Sequence, residues 1–131
     1  MLKTKELRIG NFVYFNDNIF EGQKNKIVEI EKISKNFVYD KINKNTIIGE
    51  LQNYKPIEIN KEILLKLGFI WTDVIPYHNE TILKDCFFGY SENEIHLFSD
   101  YPHESLKRIK YVHEFQNIYF SLTNKEIKFK I

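Results

Sequence analysis

The sequence predicts an α+β protein: a small antiparallel β-barrel or curved sheet, SH3-like in size, followed by a helix, a β-hairpin, a long amphipathic helix and a terminal strand. Three observations predict it. The first half carries four or five short runs rich in β-branched and aromatic residues, about ten residues apart and separated by polar, turn-forming clusters. Residues 61–67 read as a capped helix of about two turns. Residues 111–123, YVHEFQNIYFSLT, place Val112, Phe115, Ile118, Tyr119 and Leu122 at spacings of three and four, one apolar stripe on a helix of 3.6 residues per turn.

In chain order, LRIGNFVYF opens with two short strand-like runs punctuated by Gly10 and Asn11, and residues 16–25 are polar and turn-rich. KIVEIEKI (26–33) alternates imperfectly through Ile27, Ile30 and Ile33, and its Ile and Val content favours a strand. FVYDKI and TIIGEL flank a hairpin loop at Asn43, Lys44 and Asn45. YKPIEI is a fifth strand, with Pro56 near its start, where proline is tolerated. Asn60 offers an N-cap, Glu62 lies in the first turn and Gly68 stands at the C-terminal end, so the helix should bury Ile63, Leu64 and Leu67. Residues 69–75 are apolar and Pro76, Tyr77, His78 and Asn79 read as a turn. TILKDCFFGY and EIHLF form a hairpin across Ser91, Glu92 and Asn93. LKRIKY is either a strand or the start of the long helix, because Lys110 offers no cap. EIKFKI then closes the chain as a strand.

At 131 residues the chain suits one compact domain, or two lobes, β-rich 1–59 and α+β 60–131. A hydrophobic content of 43% with 15% aromatics excludes disorder. The net charge of +1 is not that of a protein that coats nucleic acid. A lone cysteine, Cys86, excludes an internal disulfide and suits a reducing compartment. Without a secretory signal or an 18-residue apolar run, the expectation is a cytoplasmic protein with no membrane contact.

Catalytic patterns are missing. Cys86, His96, His103 and His113 lack the C-x-x-C or H-x-x-x-H spacing that sets two metal ligands on one turn, and Phe87 and Phe88 favour a buried, unreactive thiol. There is no glycine-rich phosphate loop and no G-x-S-x-G. No cofactor, no metal and no enzymatic activity are expected, and a small enzyme built on Cys86 and a histidine is the least favoured alternative. His113, Gln116 and Asn117 share a helix face, either to read a partner or to tie the helix to a neighbouring loop.

Charge is uneven along the chain. Residues 72–104 hold Asp73, Glu80, Asp85, Glu92, Glu94, Asp100 and Glu104 against Lys84, a balance of −6. Residues 22–44 hold Lys24, Lys26, Lys32, Lys35, Lys41 and Lys44 against three acids, a balance of +3. The acidic run would suit a basic channel in a partner, by imitating phosphates and steering association. The lysines would suit a nucleic-acid backbone, with Phe37 and Tyr39 as stacking surfaces.

VHEFQNIYFSLTNKEI resembles the VHQLQNLYFALTGEEL-type ending of a family of small proteins of unknown function from Bacteroidetes phages and prophages. The matching residues are Val112, His113, Gln116, Asn117, Tyr119, Phe120, Leu122, Thr123 and Glu126, and Asn124 stands where the family often has glycine. LRIGNFV (7–13) resembles its opening segment and PIEINKEILLKLGF (56–69) its PI-L-x-E-x-LLK-x-GF middle segment. The blocks occur in the family's order over about a third of the chain, and residues 70–105 match none of it. The resemblance implies a mobile-element origin and supplies no activity. The expectation is a non-enzymatic accessory protein that binds a host protein, an inhibitor of a defence nuclease in the anti-CRISPR manner, with a nucleic-acid-binding module as the alternative.

Overall fold

The computed structural model describes residues 2–15, 26–34, 38–40, 54–70, 77–78, 86–91, 93–99, 105–127 and 129. Two compact units divide the chain at Ile57 and Glu58.

The first unit is a curled antiparallel sheet. Its strands are β1 (Phe12–Phe15), β2 (Lys26–Ile33), β3 (Val38–Asp40) and β4 (Tyr54–Lys55), in the spatial order β3-β2-β1-β4. On β2 the period of two buries Val28 and Ile30, while Ile27 and Ile33 are only partly covered. Val28 stands opposite Val13, and these residues join Leu2, Leu7, Val38 and Tyr54 in one core. The Phe15 and Tyr54 rings meet 5.2 Å apart. The register of β2 against β3 shifts between Ile30 and Lys32, and such a bulge increases local twist and helps a small sheet curl.

The first expected strand is corrected. Residues before Gly10 form a 3-10 helix, Thr4–Glu6, and a turn. The reason is a closed set of short-range hydrogen bonds: Arg8 N donates to Asn11 Oδ1 at 2.6 Å, and Asn11 N donates to Arg8 O at 3.0 Å. Gly10 has φ 94, a conformation only glycine adopts without steric cost, and its amide donates to Ile30 O at 2.8 Å. Asn11 is fully buried, and its carbonyl accepts from Ile30 N at 2.8 Å, so buried polar groups of the turn are paired with β2 as well.

The second unit is a sheet with two helices. α1 (Lys61–Lys66) begins where Asn60 Oδ1 accepts from Ile63 N at 2.9 Å, and Gly68, at φ 92, ends it. Ile63, Leu64 and Leu67 are buried as the spacing predicts. The sheet comprises β5 (Phe69–Ile70), β6 (Tyr77–His78), β7 (Cys86–Ser91), β8 (Glu94–Ser99) and β9 (Ser105–Ile109), all neighbours antiparallel and in chain order. Tyr77 and His78, expected in a turn, pair with Ile70 and Phe69, and Tyr77 also pairs with Gly89. The 105–110 ambiguity resolves as a strand.

α2 (Val112–Thr123) follows directly. Glu114 Oε1 accepts from Tyr111 N at 3.2 Å, so an acid inside the first turn does what no N-cap side chain offers. At the other end Asn124 takes the left-handed conformation, φ 59, and donates to Phe120 O at 2.8 Å, the role glycine usually fills. Val112, Phe115 and Tyr119 are buried against the sheet, with Phe115 edge-on to Phe88 at 4.9 Å and 5.6 Å from Phe69. Leu122 and Ile118, expected in the same core, are only partly buried.

The terminal strand is also corrected. Residues 125–127 and 129 belong to no strand, and Ile127 is instead buried beside α2, its carbonyl accepting from Gln116 Nε2 at 3.1 Å. Among the described residues no helix is long and apolar enough to cross a membrane.

Phe115→Ala removes the ring that meets both Phe69 and Phe88, and should cost about 3–5 kcal/mol. Thermal or denaturant unfolding reads this directly, and a transition that does not move would refute the placement of α2.

Candidate functional site

The hairpin of β7 and β8 carries Glu94, one of the acidic residues singled out in the sequence. Ser91 and Glu94 are opposite one another across a two-residue turn, and Asn93 sits in the left-handed region at φ 64, as such turns require. Tyr90 Oη donates to Asn93 Oδ1 at 2.9 Å and holds the turn. Beyond it the segment at Glu58 bridges Tyr111 antiparallel, and Ile59 N donates to Lys110 O at 3.0 Å. These contacts assemble a pocket of about 220 Å³ lined by Glu58, Ile59, Asn93, Glu94, Lys110 and Tyr111. It holds two carboxylates and one ammonium group. Glu94 Oε2 is sealed from solvent and has no hydrogen-bond partner among the described residues. Leaving a carboxylate oxygen in that state costs free energy, since water would have solvated it.

Of the acidic residues singled out in the sequence, Glu94 is the one described. Asp73, Glu80, Asp85, Glu92, Asp100 and Glu104 lie outside the described residues. Glu58 joins Glu94 without being signalled in the sequence, for only the bridge to Tyr111 brings it there.

Among the basic and aromatic residues, Lys26 and Lys32 are exposed at opposite ends of β2, about 20 Å apart at the usual rise per strand residue. Lys32 faces Tyr39 across the β2–β3 ladder, with its Nζ 5.7 Å from the ring centroid, so a cation already covers the ring proposed for stacking. Lys24, Lys35, Lys41, Lys44 and Phe37 lie outside the described residues.

The histidines and Cys86 do not converge where the structure describes them. Cys86 stands opposite Ser99, whereas His96 stands opposite Gly89, three rungs or about 10 Å along the strand. His96 is buried, and both ring nitrogens are engaged: Nε2 donates to Ser91 O at 3.2 Å, which leaves Nδ1 to accept from Ser105 Oγ at 2.7 Å. That is a structural histidine clamping β7 to β9 through β8. His113 is buried on α2 with its ring stacked on Tyr111 at 5.9 Å. His103 lies outside the described residues. Among the described residues no three His, Cys, Asp or Glu side chains gather as metal ligands.

The polar set on α2 is divided. Gln116 is fully buried and ties the helix to Ile127, which is the loop-anchoring role. Asn117 lies on the other flank, in an apolar groove of about 330 Å³ shared with Leu97, Lys107, Ile118, Ser121 and Leu122. No single residue of the sequence signals this groove, which needs β8, β9 and α2 together.

No protein-family model matches the chain, and comparison with curated proteins and with solved structures finds no match.

Glu94→Gln replaces the sequestered carboxylate with a neutral amide of the same shape. It should raise stability by about 1 kcal/mol, a shift of a few degrees in the unfolding midpoint. A fall in the midpoint would show that the charge is compensated.

Proposed function

We propose that the protein is a non-catalytic accessory factor of a mobile genetic element that acts by binding a host protein, with a nucleic-acid-processing enzyme of a defence system as the partner class. The observation that carries this reading is the pocket of the second unit that Glu58 and Glu94 line together, beside the β7–β8 turn. Enzymes that act on nucleic acid present basic channels, and an acidic end is complementary to them. The resemblance of residues 7–13, 56–69 and 112–127 to phage proteins supports the origin. The committed ring nitrogens of His96, and its distance from Cys86, support a role without catalysis.

The action that follows is occupancy: carboxylates stand where phosphates would bind, and the complex persists through apolar contacts around them. Exposed charges act mainly on the rate of association and are screened by salt. The test is a cleavage assay with purified defence nucleases, with and without their guide RNA. Stoichiometric inhibition is expected. In Glu58→Lys combined with Glu94→Lys, association should slow about tenfold at low salt, and its salt dependence should flatten. Inhibition unaffected by these reversals would remove the acidic end from the contact.

Cys86→Ser should leave inhibition intact, and its loss in a folded variant would restore the enzyme reading. The Lys32–Tyr39 pair is the observation on the side of direct nucleic-acid binding. A gel shift by the isolated protein, abolished by Lys32→Glu, would favour that reading over protein binding.

A further inference from the structure

We infer that the outer edge of β9 is a second docking surface, adjoining the acidic pocket, which takes an extended acidic segment of another protein as an added strand. β9 ends its sheet, and among the described residues no strand lies against Ser105–Ile109 on the side away from β8. The direction of its backbone groups follows from the hairpin. Ser91 and Glu94 flank a two-residue turn and so form a hydrogen-bonded pair, from which the rungs alternate. Ile95 and Leu97 therefore turn their amides and carbonyls toward Ile109 and Lys107, and Arg108 and Lys110 turn theirs outward.

Lys110 bears this out, since its carbonyl accepts from Ile59 N at 3.0 Å on that outer side. The chain has thus already laid one short extended piece along this edge, with Glu58 bridging Tyr111. That piece leaves at Asn60, where α1 begins, and the outward groups of Arg108 come next. An incoming strand continues a pairing that the fold itself has started.

Charge selects the occupant. Leu106, 56% exposed, precedes Lys107 and Arg108, both exposed and engaged in no ion pair among the described residues. Basic residues on an edge ordinarily keep other strands away. A second copy paired through this edge would bring these cations together, and like charges opposite one another destabilise a sheet pair. A strand with acidic residues opposite Arg108 meets no such penalty. On the Lys107 face the groove of Leu97, Ile118 and Leu122 receives an apolar side chain from the same strand.

The probe is a fluorescein-labelled eight-residue peptide alternating glutamate and valine, compared with its lysine and valine counterpart by anisotropy on the full chain. The acidic peptide should bind at least about tenfold more tightly. The Arg108 amide should gain protection from hydrogen exchange in the complex. Arg108→Pro removes the outward N–H while leaving the β8 ladder intact, and should abolish binding. Should that variant unfold, Lys107→Glu with Arg108→Glu decides, because it should invert the preference between the two peptides. Equal binding of both peptides, unchanged exchange at Arg108, or a dimer in sedimentation that excludes the peptide would overturn the proposal.

Discussion

The second unit depends on where Phe115 points. Its ring is fully buried, 4.9 Å from Phe88 on β7 and 5.6 Å from Phe69 on β5, and Tyr119 extends the cluster from one turn further along α2. Fixing one side chain of a helix fixes the azimuth of the rest. At 3.6 residues per turn, Gln116 and His113 fall to one side of Phe115 by about 100° and 160°, and Ile118 and Ser121 to the other by about 60° and 120°. The first flank is the one that buries polar groups, and the second is the one that lines the groove. Buried amide and open apolar groove thus lie on opposite flanks of one aromatic anchor set at the centre of its stripe.

The same kind of local geometry accounts for three blocks of the sequence, residues 7–13, 56–69 and 112–127. The first block is a turn sealed by Asn11, with Gly10 in a conformation open to glycine alone. The middle block supplies the Asn60 cap, the buried face Ile63, Leu64 and Leu67, and Phe69 against Phe115. The last block is α2 itself, with Gln116 anchored to Ile127 and Asn124 closing the helix in the left-handed region. Asparagine follows glycine as the residue most tolerant of that region, so the departure from glycine at 124 preserves the cap. The blocks encode caps, turns and core contacts.

Local signals were the legible ones. Both helices could be read from apolar spacing and from Asn60, and the β7–β8 hairpin from its polar turn. The resolution of Ser105–Ile109 as a strand depended on β8 as partner, which a run of five residues does not disclose. Tyr77 and His78 form a strand of two residues held by neighbours on both sides, too short to show a period. EIKFKI alternates like a strand, yet Ile127 is consumed by the side of α2 and its carbonyl by Gln116. On the candidate site, Glu94 could be named from the charge run, but its half-buried state and its neighbour Glu58 arise from a tertiary bridge. Lys32 and Tyr39 could be named singly, and only the β2–β3 register turned them into a pair.

The placement of these groups bears on how binding energy would be divided. Charges on the rim of a contact are hydrated and screened, so they favour encounter and orientation more than lifetime. Glu94, with one oxygen already out of water, has paid part of its desolvation cost during folding, so a cation brought to it meets a carboxylate with less water to shed. Lifetime needs apolar burial, and in this unit it is offered by Leu97, Ile118 and Leu122 in the groove and by Leu106 on the adjoining edge. The groove and the acidic pocket draw on the same strands, for Glu94 and Leu97 both lie on β8, while Lys107 on β9 precedes Lys110 by three residues. The edge of β9 and the pocket of Glu58 and Glu94 thus rest on one antiparallel ladder.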